Sequence, residues 1–241
     1  MKQIDSISNQ YIKDLSKLKN KKHIQALGIY LIEGRNIIEE ALASNVVETI
    51  LVTEETKYDD TNVERILVTS EIINKLSSNI SNEGAIALCK VIEPKFDLES
   101  FKKVVVLDSV NNPGNFGNII RTAKALGYEA VITMGNSVYK YNSKVISGTQ
   151  GAIFNFPVIQ LNGYEHNLKT KPYFFILDEN ANKMEDISLA SEYALVFGNE
   201  ANGITKELLA SWEGDNVYID INDVESLSLT SAAAIALYKF K

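Results

Sequence analysis

The run from Val104 to Gly127, VVVLDSVNNPGNFGNIIRTAKALG, constrains the fold of this chain more than any other stretch. Its first four residues are all apolar, which predicts a strand that is covered on both faces and belongs to a parallel sheet. Turn-forming residues follow at 111–114, and apolar residues then recur at helical spacing, so we predict a helix that opens at Gly117 and is closed by Gly127. A strand, a polar loop and a helix in this order are typical of an α/β sheet that binds a ligand beyond its carboxyl ends.

The rest of the chain repeats this alternation in two stretches, and residues 92–101 between them lose the periodicity and carry a proline. We therefore predict a smaller α/β domain over residues 1–95 and a second α/β domain over residues 96–241. The predicted strands are 28–33, 48–53, 65–68, 84–91, 104–107, 130–134, 173–177, 193–197 and 217–221. The predicted helices are 8–22, 37–42, 70–76, 117–127, 143–149, 205–212 and 226–241, with Ser8, Ser70 and Ser226 as caps of the first, third and last.

Composition narrows the class of protein. A formal net charge of −7 and a pI near 5.0 argue against loose, charge-driven binding to nucleic acid. Cys89 is the one cysteine, which excludes an intramolecular disulfide, and it lies in an apolar run that predicts burial. His23 and His166 are far apart in the sequence and lack other ligands at metal-binding spacing, so we expect surface histidines and no metal site. No apolar run is long enough to cross a bilayer and no signal-peptide pattern is present, so we expect a cytoplasmic protein.

The chain carries a local basic stripe although its net charge is negative. Lys13, Lys17 and Lys21 recur at every fourth residue, which would place them on one face of the predicted helix 8–22. Two interpretations stay open: a solvated helix face, or a surface that contacts phosphates.

Two further polar segments follow predicted strands of the second domain. In Phe197–Ile204, FGNEANGI, two glycines flank Glu200, so the backbone can approach a ligand closely while a carboxylate is presented beside it. Glu200 could equally favour the positive end of the following helix. In the segment 218–230, YIDINDVESLSLT, the alternative to a binding role for Ser226 is simple capping of the last helix.

Taken in order, the three segments resemble the three motifs of the SpoU (TrmH) family of RNA ribose 2'-O-methyltransferases, in the SPOUT class. NPGNFGNIIRTAKALG resembles the first motif, with Asn115 and Arg121 at its Asn and Arg. FGNEANGI resembles the second, with Glu200, and ESLSLTSAAAIALY resembles the third, with Ser226. Residues 6–91, notably IYLIEGRNIIEEAL, resemble the substrate-binding domain that often precedes this catalytic domain and is similar to certain ribosomal proteins.

The resemblance implies a C-terminal domain that ends in a deep trefoil knot, an S-adenosyl-L-methionine pocket formed by that knot, and a homodimer through the C-terminal domain. It implies catalytic roles for Asn115, Arg121, Glu200 and Ser226, and cofactor contacts at Gly198, Asn199, Ile219, Leu227 and Ser228. The expected substrate is RNA, with rRNA favoured over tRNA, and no metal is implied. RNA contacts are expected at Lys13, Lys17, Lys21, Arg35 and Arg121.

The chain departs from the family pattern at three places. Ser228 stands where the third motif usually has Asn, Asp220 stands where the preceding loop usually has Pro, and Ile24 and Gln25 stand where the first domain commonly has arginines. The alternative function is therefore a non-catalytic RNA-binding paralogue that kept the fold. We favour the enzyme because Asn115, Arg121, Glu200 and Ser226 are all present. A nucleotide-dependent oxidoreductase is disfavoured because no GxGxxG fingerprint occurs.

Overall fold

The chain folds into two units, each with its own β-sheet. In this computed structural model, residues 2–54, 56, 58, 62–78 and 83–241 are described. The first unit comprises Met1–Pro94 and Tyr141–Asn155, and the second comprises Lys95–Lys140 and Phe156–Lys241. The segment Tyr141–Asn155, which sequence reasoning grouped with the second domain, thus packs in the first unit.

Helices and strands alternate through most of both units. The helices are α1 (Gln10–Ser16), α2 (Lys21–Leu27), α3 (Arg35–Ala43), α4 (Ser70–Leu76), α5 (Pro113–Ala125), α6 (Ser143–Thr149), α7 (Lys206–Ser211) and α8 (Leu229–Lys239). The strands are β1 (Lys2–Ile4), β2 (Ile29–Glu33), β3 (Val47–Val52), β4 (Glu64–Val68), β5 (Ala85–Lys90), β6 (Lys103–Asp108), β7 (Ala130–Met134), β8 (Val158–Gln160), β9 (Lys171–Phe175), β10 (Asn182–Lys183), β11 (Tyr193–Phe197) and β12 (Asp215–Tyr218). Within the described ranges, no helix has the length and apolar character needed to cross a membrane.

The first unit is a mixed sheet in the order β1-β4-β3-β5-β2. β5 runs antiparallel to both β2 and β3, whereas β4 runs parallel to β1 and β3. Strand β1 escaped prediction because three residues at the start of the chain carry no usable periodicity. In the first helical stretch, Ile12, Leu15 and Leu18 recur at helical spacing and are all buried.

The single helix predicted over 8–22 is wrong, because two asparagines cap two shorter helices. The side chain of Asn9, and not of Ser8, accepts a hydrogen bond from the Tyr11 N–H at the start of α1. Asn20 adopts an extended conformation and accepts from the Lys22 N–H, which starts α2. Lys21 therefore belongs to a different helix from Lys13, and the continuous basic face does not exist.

The second unit is a sheet in the order β10-β12-β9-β11-β6-β7-β8, and the strand pairs among its described residues are all parallel. The predicted parallel sheet is confirmed. Residues 104–107 and 193–197 are buried on both faces, as their continuous apolar runs indicated. The core between this sheet and its helices includes Val106, Ile132, Phe174 and Val196.

Capping residues shift two helix starts in the second unit. Asn112 accepts hydrogen bonds from the N–H groups of Gly114 and Asn115, at 2.9 and 3.2 Å, so α5 begins four residues before the predicted Gly117. Pro113 fits the first helical position because the N–H it lacks would have no helical partner. At the other end of the domain, Ser228 and not Ser226 caps α8. Two smaller corrections are that Thr69 caps α4 in place of Ser70 and that the last strand ends at Tyr218.

The buried thiol gives a test of the first unit. Cys89 is fully buried in β5, and this burial raises the pKa of its thiol well above the usual range. Because thiolate is the reactive form, we expect the native protein to resist a thiol reagent such as Ellman's reagent at pH 8. The same protein in denaturant should release one equivalent of chromophore per chain. Rapid labelling of the native protein would contradict the described packing of β5.

Candidate active site

A cavity of about 670 Å³ opens at the carboxyl ends of β9 and β11 in the second unit. Its volume lies within the usual range for small-molecule sites. Eight residues that the sequence predicted for the site line this cavity: Asn115, Gly198, Asn199, Glu200, Ile219, Ser226, Leu227 and Ser228. Sequence reasoning did not include the remaining lining residues Phe175, Ile176, Leu177, Phe197, Ala201, Asn202, Gly203, Ile204, Ile221, Leu229 and Ala232. Apolar residues directly after strand β9 were the available signal for part of this wall.

The loop after β11 is a narrow turn that presents its backbone to the cavity. The backbone groups of Asn199 and Gly203 exchange two hydrogen bonds of 2.9 Å, and the Asn199 side chain accepts from the N–H groups of Ala201 and Asn202. A Cβ atom on Gly198 would lie 2.1 Å from the Gly203 carbonyl carbon, so only glycine fits there. The two glycines of the second segment thus serve close approach of two backbone strands.

The first and second segments meet through one side-chain hydrogen bond. Asn115 Nδ2 donates to Glu200 Oε1 at 2.9 Å, and Asn199 Nδ2 lies 3.4 Å from the other carboxylate oxygen. Glu200 is exposed toward the cavity and keeps acceptor capacity for a further donor. The geometry therefore presents an oriented carboxylate whose direction is set by an amide on α5.

The loop before α8 forms the opposite wall and is tied to strand β10. Lys183 Nζ lies 2.8 Å from Asp220 Oδ2, and this hydrogen bond to a carboxylate raises the pKa of Lys183. Asp220 stands between Ile219 and Ile221, which both line the cavity. Asp220, which stands where the family usually has Pro, is therefore held by a hydrogen bond from Lys183. Ser226 is exposed at the rim and forms no side-chain hydrogen bond with any residue in the described part of the chain.

Both parts of the chain match known protein families. Residues 102–238 match the SpoU rRNA Methylase family, and residues 9–87 match the MRM3-like substrate binding domain. The chain is 34% identical, over 251 residues and 100% of both chains, to the 23S rRNA (guanosine(2553)-2'-O)-methyltransferase RlmP of Bacillus subtilis (strain 168). The chain belongs to the SpoU rRNA methylase family. The resemblance inferred from the three motifs is confirmed.

Solved structures of the same class share the fold across nearly the whole chain. A crystal structure of an RNA 2'-O ribose methyltransferase superposes with a TM-score of 0.81 at 26% identity, covering 98% of this chain and 97% of that one. The SpoU methyltransferase AviRb from Streptomyces viridochromogenes, solved with AdoMet, superposes with a TM-score of 0.86 at 21% identity, covering 96% of each chain. The predicted α/β class, with a smaller substrate-binding domain before the methylase domain, is therefore confirmed.

Three of the four SpoU motif residues line the cavity, but Arg121 lies apart from them. Arg121 follows Asn115 by about 1.7 turns of α5, about 9 Å along the helix axis, and it is exposed and absent from the cavity wall. It forms no ion pair with the residues that the structure describes. The first unit carries the other cations assigned to RNA: Lys13, Lys17, Lys21 and Arg35 are all exposed. Two of them have acidic neighbours, Lys17 with Asp14 at 2.7 Å and Arg35 with Glu39 at 2.9 Å.

The site holds no recognisable metal centre in the described residues, where no group of three or more His, Cys, Asp or Glu side chains comes together. His166 lies instead against Trp212, with ring centroids 4.4 Å apart, and burial lowers the pKa of this histidine. It is thus half-buried, although a surface position was predicted.

Ser228 offers a test of the cap at the edge of the cavity. Its hydroxyl accepts from the Ser231 N–H at 3.2 Å, so Ser228→Ala should lower the free energy of unfolding by about 1 kcal/mol. Ser228→Asn should leave stability nearly unchanged, because Asn is an equally good cap. Urea denaturation of the three proteins measures both effects. An Asn variant as unstable as the Ala variant would contradict the capping role.

Proposed function

We propose that the protein transfers a methyl group from S-adenosyl-L-methionine to a ribose 2'-hydroxyl of 23S rRNA. The observation that carries this proposal is the convergence of all three SpoU segments on one cavity, with Asn115 and Glu200 in direct contact. The full-length identity to RlmP, which includes the substrate-binding domain, supports rRNA over tRNA. Because rRNA is the proposed substrate, we also propose that the protein acts in the cytoplasm.

The residues of the cavity fit the cofactor. Its described lining contains one carboxylate, several amides and hydroxyls, and no Lys, Arg or His. Such a wall suits a ligand that carries a positively charged sulfur. Ile219 and Leu227 offer apolar surface to an adenine ring, and Gly198 lets backbone groups approach it. When bound, S-adenosyl-L-methionine supplies an electrophilic methyl group.

The protein's own side chains align the acceptor hydroxyl. A ribose 2'-hydroxyl is a weak nucleophile, so it must be oriented and its developing negative charge must be stabilised. Glu200, held by Asn115, is placed to accept a hydrogen bond from an incoming hydroxyl. A guanidinium group donates hydrogen bonds and does not serve as a general base, so we assign Arg121 to an RNA phosphate and to the developing alkoxide rather than to proton removal.

Arg121 lies outside the cavity of its own chain, and we propose that a homodimer supplies it from the partner copy. The last helix is rich in alanine, and its small side chains together with the first-motif helix predict a close-packed dimer face, but Ala233 and Ala236 are buried inside the chain. Ile235 and Tyr238 on α8 are exposed, at 43% and 63%, and form the better candidate surface. Family membership also supports the proposal that the C-terminal end threads a trefoil knot. Light scattering at micromolar concentration tests the dimer, and a monomer would remove this account of Arg121.

The function is tested by incubating the full-length protein with labelled S-adenosyl-L-methionine and either 23S rRNA or tRNA, then mapping 2'-O-methyl positions. We expect label in 23S rRNA, with the guanosine that RlmP's name specifies, 2553, as the first position to examine. Glu200→Ala is the matched control and should transfer the methyl group at a much lower but measurable rate. Absence of transfer to either RNA, with or without cofactor binding, would contradict the proposed enzyme and favour the non-catalytic paralogue.

Arg121 can be separated from the cofactor pocket by substitution. Arg121→Ala should abolish methyl transfer while leaving calorimetric affinity for S-adenosyl-L-methionine nearly unchanged, since Arg121 does not line the cavity. Arg121→Lys should recover little activity because an ammonium cannot reproduce the planar, forked donor set of a guanidinium. A Lys variant with most of the wild-type rate would show that only the charge matters.

A further inference from the structure

Asp108 is a buried acid that neither the motifs nor the cavity wall account for. It is the last residue of β6 and is fully buried. Both carboxyl oxygens accept hydrogen bonds, Oδ2 from the Thr205 N–H at 2.7 Å and Oδ1 from the Tyr164 hydroxyl at 3.0 Å. Among the described residues it has no ion-pair partner. Burying an acid without a cation is costly, so this position calls for a role beyond packing.

The hydrogen bonds of Asp108 and its neighbour hold both ends of the loop that carries Glu200. Asp108 binds the backbone of Thr205, where the loop ends and α7 begins. The Ser109 carbonyl accepts from Asn199 Nδ2 at 2.8 Å, where the loop begins. Ser109 has a φ of 53°, a left-handed conformation that is uncommon outside glycine and turns this carbonyl away from the strand direction. Two consecutive residues, the last of β6 and the one after it, thus fix both ends of the turn formed by residues 199–205.

The hydrogen bonds of Asp108 to Thr205 and of Ser109 to Asn199, which we call the tether, lie in closely packed surroundings. A Cβ atom on Gly135, at the end of β7, would lie 2.4 Å from Ser109 Oγ and 2.7 Å from the Tyr164 hydroxyl. The loop after β7 therefore packs directly against this polar cluster and leaves little room for the Asp108 carboxyl group to shift. With the ends of the turn fixed in this way, the Glu200 carboxylate is held within reach of Asn115.

We propose that Asp108 is a positioning residue that acts on the reaction through Glu200. This inference rests on the proposed function. Asp108 contacts no part of the cavity itself, and its influence passes through Thr205 and the turn. A side chain that only stabilised the fold would lower stability without a specific link to Glu200. A positioning residue should lose its effect on turnover once Glu200 is gone.

The experiment is a double-mutant cycle on the full-length protein, with kcat for methyl transfer to 23S rRNA as the readout. Asp108→Ala should lower kcat by about ten- to hundredfold, as expected when a reacting group is misplaced by about 1 Å. In a Glu200→Ala background, the same substitution should change residual kcat less than about twofold. The effects of two substitutions are not additive when one residue acts through the other. Losses that multiply in the double variant would overturn the inference.

Conservative variants keep the test informative if Asp108→Ala folds poorly. In Asp108→Asn, the amide oxygen can accept from Thr205 and the amide NH₂ can donate to the Tyr164 oxygen, so most activity should be retained. Tyr164→Phe removes one hydrogen bond and should lower kcat by about two- to tenfold. Tyr173→Phe is the matched control, since this buried hydroxyl accepts from the Ala190 N–H and lies outside the cavity wall. An equal loss in Tyr173→Phe and Tyr164→Phe would contradict a specific tether.

Hydrogen exchange gives a second readout that requires no turnover. Asp108→Ala should increase exchange of the backbone amides 199–205 by about tenfold or more, while the amides of β7 keep their protection. Unchanged exchange in the turn would overturn the tether. If wild-type protein showed no methyl transfer yet this exchange response appeared, the proposed function would fail and the tether would stand.

Discussion

The parallel pairing of β6 with β11 is the contact on which the rest of the candidate site depends. Leu107 lies opposite Phe197 in this register, so the chain leaves both strands at the same level of the sheet. Asp108 and Gly198 follow directly, and their loops can therefore exchange hydrogen bonds over short distances. Both strands are buried on two faces, so a slip by one residue would exchange the side chains that pack on each face and would disrupt the close packing of the core.

From this register the site assembles in a fixed order. α5 starts at the end of β6 and carries Asn115, and the turn after β11 carries Glu200, so these side chains meet although 85 residues separate them. The third segment forms the rest of the cavity wall. Its lining residues do not directly follow a strand, because β12 stops at Tyr218 and the chain continues as a loop to Ser228. This loop is tied to β10 through Lys183 and Asp220. The departures from the family pattern at Asp220 and Ser228 both make local hydrogen bonds, so neither leaves the wall unsupported.

Sequence reasoning reached those features that depend on local pattern. Continuous apolar runs identified the central strands, and the three motifs identified eight residues of the cavity wall because each motif is contiguous in sequence. The predicted helix boundaries were wrong where two good caps are close in sequence, as at Asn9 and Ser228, since propensity alone does not decide which polar side chain accepts from a backbone N–H. The membership of Tyr141–Asn155 in the first unit and the contacts of Asp108 were out of reach, because both depend on residues that are distant in sequence.

We propose that the cavity between the turn after β11 and the loop before α8 holds S-adenosyl-L-methionine. This proposal can be tested with a crystal structure of the full-length protein grown with the cofactor. We expect electron density for the nucleoside against the backbone of Gly198 and beside Ile219 and Leu227, with the rest of the cofactor in the same cavity. Density for the cofactor elsewhere on the chain, or an empty cavity at millimolar cofactor, would contradict it.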